Sequence, residues 1–295
     1  LLVILALSYW NVYLNPHHHV YTVVPFFHSS NLHEPALIFH NHIYSSMAMA
    51  CLLFYALVQW SLISDKVARW AVVVLASSWF LIGLCQGRTG WPLLAVMLLY
   101  WVGCLCVQRK TRVLLGVLLG GLTAAAVIMT VPNQLTQHYH KTTQSIQAFD
   151  QNQKGTSSGQ RLQWYATSLK IAAERPWVGS GTGSFVSEYK NGFARFQAQD
   201  HLTTLTENPH NEYAFFAVEQ GLLGVTVFAF FLLMLWRCAG NALPGSRLLG
   251  RAVMLMAVVG SLYNSMFTDF GSGFWVCFCV ALFTADPRQP VSTAE

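Results

Sequence analysis

NPHNEYAFFAVEQGLLGVTVFAFFLLMLW, residues 208–236, sets a compact polar cluster against a long apolar run. Asn208 can accept backbone N–H groups as an N-cap, and Pro209 suits the first helical position, so that His210 falls in the first turn of a long helix. Between 213 and 236 the only charged side chain is Glu219, and the run is long enough to cross roughly 30 Å of hydrocarbon.

The rest of the chain has the same character. With 54% hydrophobic residues, 10% charged residues and ten Trp in 295 positions, it is too apolar for a water-soluble domain, where about a quarter of residues carry charge. Further apolar segments fall near 1–14, 41–63, 67–86, 91–107, 113–131, 248–268 and 273–285. The expected fold is an all-α integral membrane protein, a polytopic transmembrane helix bundle with one large, partly helical loop. Because the chain opens inside an apolar segment, without Met or a basic flank, further helices are expected before Leu1.

Charge in the short connections alternates. Lys66 and Arg69, then Arg109, Lys110 and Arg112, then Arg237, Arg247 and Arg251, and finally Arg288 mark one side, whereas 15–40 and 268–273 hold no Lys or Arg. Basic short loops face the cytoplasm. The opposite side, the periplasm of a bacterium, then receives 15–40, the turn around Arg88, the polar segment 132–208 and the turn at Asp269. The expected organisation is transmembrane helices over 1–131 with an outer His-rich loop at 15–40, a periplasmic loop region over 132–208, and transmembrane helices with a cytoplasmic C-terminus over 209–295. Topology accounts for the net charge of +5, so no nucleic-acid partner is expected.

All eleven His residues lie on or near the outer side, but His17, His18 and His19 are followed by no ligand at metal-site spacing and read as a solvated loop. The seven Cys sit in apolar segments as packing residues. Segment 132–208 contains an amphipathic helix near 159–174, the turn-rich ERPWVGSGTGSF (174–185) and a second helical pattern near 186–199. It is too poor in aliphatic residues for a core of its own and should pack on the outer ends of the helices. GSGTG (179–183) lacks the Lys-Ser/Thr ending of a phosphate loop and reads as a turn.

Chemistry can reside in few places. Arg88 in CQGRTGW (85–91) opposes the positive-inside trend, and its Gly neighbours allow close backbone approach to a ligand. Arg161 in SSGQRLQWY (157–165) presents a rigid fork of donors suited to phosphate oxygens. A helix N-terminus disfavours imidazolium and attracts anions, so His210 is the candidate general base. Glu212 and Glu219 share a helix face; Glu219, about 13 Å from the helix start at 1.5 Å per residue, should face the protein interior. Asp269 is a candidate partner for an arginine.

GRTGW, SSGQRLQWY, ERPWVGSGTGSF and NPHNEYAFFAVEQGLLG, taken together over about 75–285, resemble the O-antigen ligase family of bacterial inner-membrane glycosyltransferases. The same superfamily includes O-antigen polymerases and protein O-oligosaccharyltransferases. The resemblance implies about twelve membrane-spanning helices, about four of them preceding Leu1. It also implies transfer of O-antigen polysaccharide from undecaprenyl diphosphate to the lipid A core in lipopolysaccharide biosynthesis, with inversion and without metal or cofactor. His210 matches the family's base, and Arg88 and Arg161 match its diphosphate ligands; Glu212 and Asp269 are secondary candidates. The partners implied are the undecaprenyl-diphosphate-linked glycan, the lipid A core acceptor and membrane lipids. Polymerase and protein oligosaccharyltransferase remain alternatives that share the donor and differ in the acceptor. A polyprenyl-lipid flippase is the alternative of another class, but transporters place ionisable groups near the midplane in repeated halves, and no internal repeat is evident.

Overall fold

The computed structural model describes residues 42–62, 65–84, 89–130, 143–144, 157–200 and 202–284. Among them every regular element is helical, and the chain divides into two compact units, 1–136 and 137–295.

In the first unit, α1 (His42–Val58) runs into a single 3-10 turn (Gln59–Leu62) and is followed by α2 (Lys66–Leu84), α3 (Gly90–Val107) and α4 (Thr111–Thr130). Asp65 starts α2 by accepting the Ala68 N–H at 2.7 Å, an N-cap interaction. Met47, Met49 and Phe54 of α1 and Leu93 and Met97 of α3 are buried, and α1 packs on both α2 and α3, with the Phe54 ring edge-on to Trp101 of α3 at 6.1 Å. Gly90 permits that approach, since a Cβ there would lie 2.7 Å from the Ser46 carbonyl oxygen. On α4, Leu115, Leu118, Leu119 and Leu122 repeat at helical spacing and are all exposed, an apolar stripe suited to lipid rather than water.

The second unit comprises α5 (Ser157–Glu174), α6 (Phe185–Asp200), α7 (Glu212–Gly240), α8 (Pro244–Gly260) and α9 (Phe270–Thr284). The polar pair α5 and α6 packs on the first half of α7 through Ile171, Phe185, Tyr189 and Val218, with Trp164, Phe193 and Phe215 against them. Ion pairs at the surface, Lys170–Asp200 at 2.6 Å and Arg195–Glu174 at 2.7 Å, follow an antiparallel register and contribute little in water. α3 and α7 are long and apolar enough to cross a membrane, and shorter apolar stretches lie in α1, α4 and α9.

One expected segment changes its extent. The apolar run at 248–268 is helical only to Gly260, and 261–268 form a turn whose N–H groups are needed elsewhere, as described below. The segments expected at 1–14 and the His-rich 15–40 lie outside the described residues.

α7 is not continuous. Gly221 adopts φ 62 and ψ −155, which breaks the helical ladder. The turn 176–181 closes the gap: Leu222 N–H donates to the Pro176 carbonyl (2.7 Å) and Leu223 N–H to that of Trp177 (3.1 Å), while Ser180 and Gly181 N–H donate to Val218 (3.0 Å) and Glu219 (2.7 Å). Two strands of backbone therefore satisfy each other at the break, as buried peptide groups require. Side chains are excluded from the junction. A Cβ at Gly221 would meet the Trp177 carbonyl carbon at 2.6 Å, and one at Gly179, whose φ is +67, would collide with the backbone of Glu219 and Gln220.

Gly179→Ala and Gly221→Ala are each expected to destabilise the second unit by about 2 kcal/mol or more, from left-handed strain plus overpacking. Thermal unfolding in lipid nanodiscs measures this, with Gly245→Ala, which meets nothing within 4 Å, as the neutral control.

Candidate functional site

The polar cluster 208–213 is anchored residue by residue to the turn after α8. Glu212 is fully buried (0% exposed). Its carboxylate accepts the Ser261 hydroxyl (3.0 Å) and the backbone N–H groups of Met266 (2.9 Å), Phe267 (2.9 Å) and Thr268 (2.6 Å). Its own N–H donates to the Ser261 carbonyl at 2.9 Å. Asn211 Nδ2 donates to the Leu262 carbonyl (2.8 Å) and the Tyr213 hydroxyl to that of Val258 (3.0 Å). Asn208 Oδ1 accepts both the Ser265 hydroxyl and the His210 N–H, each at 2.8 Å.

These bonds revise the expected helix start. Asn211 is the N-cap, its side chain accepting the Ala214 N–H at 3.0 Å, and α7 begins at Glu212. Asn208 instead makes a local turn onto His210, which has φ 52 and cannot continue into a helix. His210 therefore precedes the helix rather than lying in its first turn.

From the other side, α5 presents Arg161, Trp164 and Tyr165, at i, i+3 and i+4 on one face. Gln163, on the adjoining face and buried, holds the incoming loop by donating to the Thr204 carbonyl (2.9 Å) and accepting from Thr203 N–H (3.0 Å). Trp164 Nε1 donates to the Thr204 hydroxyl at 3.2 Å, and its ring lies 5.5 Å from the His210 ring between centroids. The Tyr165 hydroxyl donates to the His210 carbonyl at 3.1 Å.

The result is an imidazole between a guanidinium and an amide. Burial holds the His210 pKa below its ordinary value, the positive charge of Arg161 lowers it further, and a hydrogen bond with the Asn264 side chain opposes them. His210 is thus neutral at pH 7, and its Nδ1 is shielded from solvent without a hydrogen-bond partner. Burial raises the pKa values of Tyr165 and Tyr263, partly offset by the same Arg161 charge, so both keep their hydroxyl protons. Among the described residues the ion pairs use other partners, and no carboxylate neutralises Arg161. The site thus gathers the Arg161 charge, a neutral imidazole and two protonated phenols, of which Tyr165 is committed to the His210 carbonyl.

Arg161, His210 and Glu212 are thus brought into one cluster within the second unit. Glu219 is buried (3% exposed) and accepts the Phe185 N–H at 3.2 Å, capping α6. Asp269 is exposed just before α9, where its carbonyl accepts from Gly273 N–H at 2.9 Å, and it forms no ion pair with a described arginine. Arg88 lies outside the described residues. Among the described residues no group of three or more His, Cys, Asp or Glu could hold a metal ion. Sequence reasoning missed Trp164, Tyr165, Tyr263 and Asn264. Helical spacing from Arg161 could have raised the first two, and the polar interruption SLYNS (261–265) in a supposed span could have raised the others.

Glu212→Gln, which replaces an acceptor facing N–H donors with an amide NH2, is expected to cost about 1–3 kcal/mol in thermal unfolding. In a His-selective NMR titration, Arg161→Ala should raise the His210 pKa and Asn264→Ala should lower it further, because the first removes a repelling charge and the second a supporting hydrogen bond.

No curated protein matches the chain. A family model described as O-antigen ligase matches residues 70–229, which include the first unit's α3 and α4, the polar pair α5 and α6, and the start of α7 with His210 and Glu212. The match covers more than half of the 295 residues, and the chain belongs to the O-antigen ligase family, membrane proteins of the glycosyltransferase type that act on lipid-linked glycans.

Proposed function

We propose that the protein is an inverting, metal-independent glycosyltransferase of the bacterial inner membrane that transfers O-antigen polysaccharide from undecaprenyl diphosphate to the lipid A core, with its site open to the periplasm. The observation that carries this reading is the juxtaposition of a neutral, partly unengaged His210 imidazole with the Arg161 guanidinium, which no described carboxylate neutralises.

The chemistry follows from that pair. A sugar hydroxyl of the acceptor attacks the anomeric carbon of the donor, forming the new glycosidic C–O bond as the bond to the diphosphate oxygen breaks. His210 takes the hydroxyl proton, and the diphosphate leaves with the electron pair. Arg161 holds the leaving charge by charge-assisted hydrogen bonds, with the protonated Tyr263 hydroxyl within reach of the same guanidinium charge. Arg88 is the second diphosphate ligand in this reading, on the strength of the family likeness. Glu212 acts through position, holding the turn that carries Tyr263 and sets Asn264 against His210. A polymerase or a protein oligosaccharyltransferase would run the same steps with another acceptor.

Purified protein in liposomes, given lipid-diphosphate glycan and lipid A core with EDTA present, should form product. Loss of product on chelation would refute metal independence. His210→Ala should lower turnover about 10²–10⁴-fold and Arg161→Ala or Arg88→Ala about 10²–10³-fold, while Arg109→Ala leaves it unchanged. A base with a depressed pKa stays unprotonated further into acid, so the acid limb of the rate profile should lie below the usual imidazole range, move upward in Arg161→Ala, which loses the charge, and stay in place in Arg161→Lys, which keeps it.

A further inference from the structure

The turn that repairs the break in α7 comes from the polar segment 132–208, which sequence patterning placed in an aqueous loop, whereas α7 itself was expected to span the membrane. α7 has 29 residues, about 43 Å at 1.5 Å per residue, which exceeds the roughly 30 Å of hydrocarbon it must cross. The part from the break onward, 221–240, is by itself about 30 Å long. Its far end carries Arg237, and Trp236 there stacks under Arg251 at 4.9 Å, the composition of a membrane interface.

Four large apolar side chains crowd the break and face outward: Trp177 (72% exposed), Val178 (67%), Leu222 (54%) and Leu223 (62%). The backbone bonds Leu222 to Pro176 and Leu223 to Trp177 hold them around one junction. Below it, Leu223, Val227 and Phe230 continue as an exposed stripe at i, i+4 and i+7. The cluster is therefore continuous with the apolar face of the span. Non-helical backbone is tolerated near hydrocarbon only where its polar groups are satisfied, and the four reciprocal bonds at the break meet that condition.

We infer that the elbow made by 176–181 and Gly221 marks the outer hydrocarbon boundary, and that Trp177, Val178, Leu222 and Leu223 contact the acyl chains of the bilayer. The inference rests on the reading that α7 crosses the membrane. Segment 212–220 then projects beyond the hydrocarbon and holds His210 outside it, on the aqueous side of the boundary. Trp177 is the interfacial anchor, and Arg175 beside it, exposed, reaches toward the headgroups.

Nitroxide labels on the full chain test this in liposomes, in a background whose native cysteines are replaced. Labels would be placed one at a time at Trp177→Cys, Val178→Cys, Phe230→Cys and Ala194→Cys, the last on exposed α6. Collision with oxygen relative to a water-soluble nickel chelate should be several-fold higher at 177, 178 and 230 than at 194. A lipid-like ratio at 230 with water-like ratios at 177 and 178 overturns the inference and leaves the spanning role of α7 intact. Labels at 177 and 178 shielded from both probes mean that protein covers the elbow, which also overturns it. A water-like ratio at 230 removes the spanning reading itself.

Discussion

The buried carboxylate of Glu212 is the interaction around which the second unit is arranged. An ionised carboxylate is acceptor-only, and removing it from water is costly unless several donors replace the lost solvent. Here a hydroxyl and three consecutive backbone N–H groups do so. Those N–H groups belong to Met266, Phe267 and Thr268, so α8 must stop before them and the chain must turn. That constraint ends α8 at Gly260, sets the start of α9 and brings Asn264 to His210 and Tyr263 within reach of the Arg161 charge.

The same constraint explains the conformation of the motif residues around it. With Glu212 as the first residue of α7, Asn211 becomes the cap and His210 must enter from outside the helix, in a left-handed conformation that Asn208 secures. An imidazole placed this way is held by its backbone on both sides, through Tyr165 on its carbonyl and Asn208 on its N–H. Its ring is left to meet Arg161, Trp164 and Asn264. Rigid backbone with an uncommitted ring nitrogen suits a proton acceptor better than a structural histidine, whose nitrogens would be satisfied.

The second organising contact is the exchange of backbone hydrogen bonds between the turn 176–181 and the break in α7. It fixes α5 and α6 on α7, because the turn connects them and the junction admits no Cβ at Gly179 or Gly221. Glu219, two residues before the break, adds a side-chain bond to the start of α6. The guanidinium of Arg161 thus reaches the helix start through packing of the polar pair, with the Ile171, Phe185, Tyr189 and Val218 cluster as its support.

Sequence alone determined the helical class, the positions of the apolar segments and the residue types able to carry the chemistry, because hydrophobic periodicity and charge alternation are local patterns. It also placed Arg161, His210 and Glu212 among the candidates. It misjudged the helix start, since Asn208 and Asn211 are equally good caps by composition and only the Glu212 clamp chooses between them. It overextended the 248–268 segment for the same reason: a polar interruption of five residues looks tolerable until its N–H groups find a distant carboxylate. The break at Gly221 was invisible, as glycine in an apolar helix is common and its partner lies some forty positions earlier in the chain. Tertiary structure decided which side chains surround the imidazole, because those contacts join residues that no short-range pattern connects.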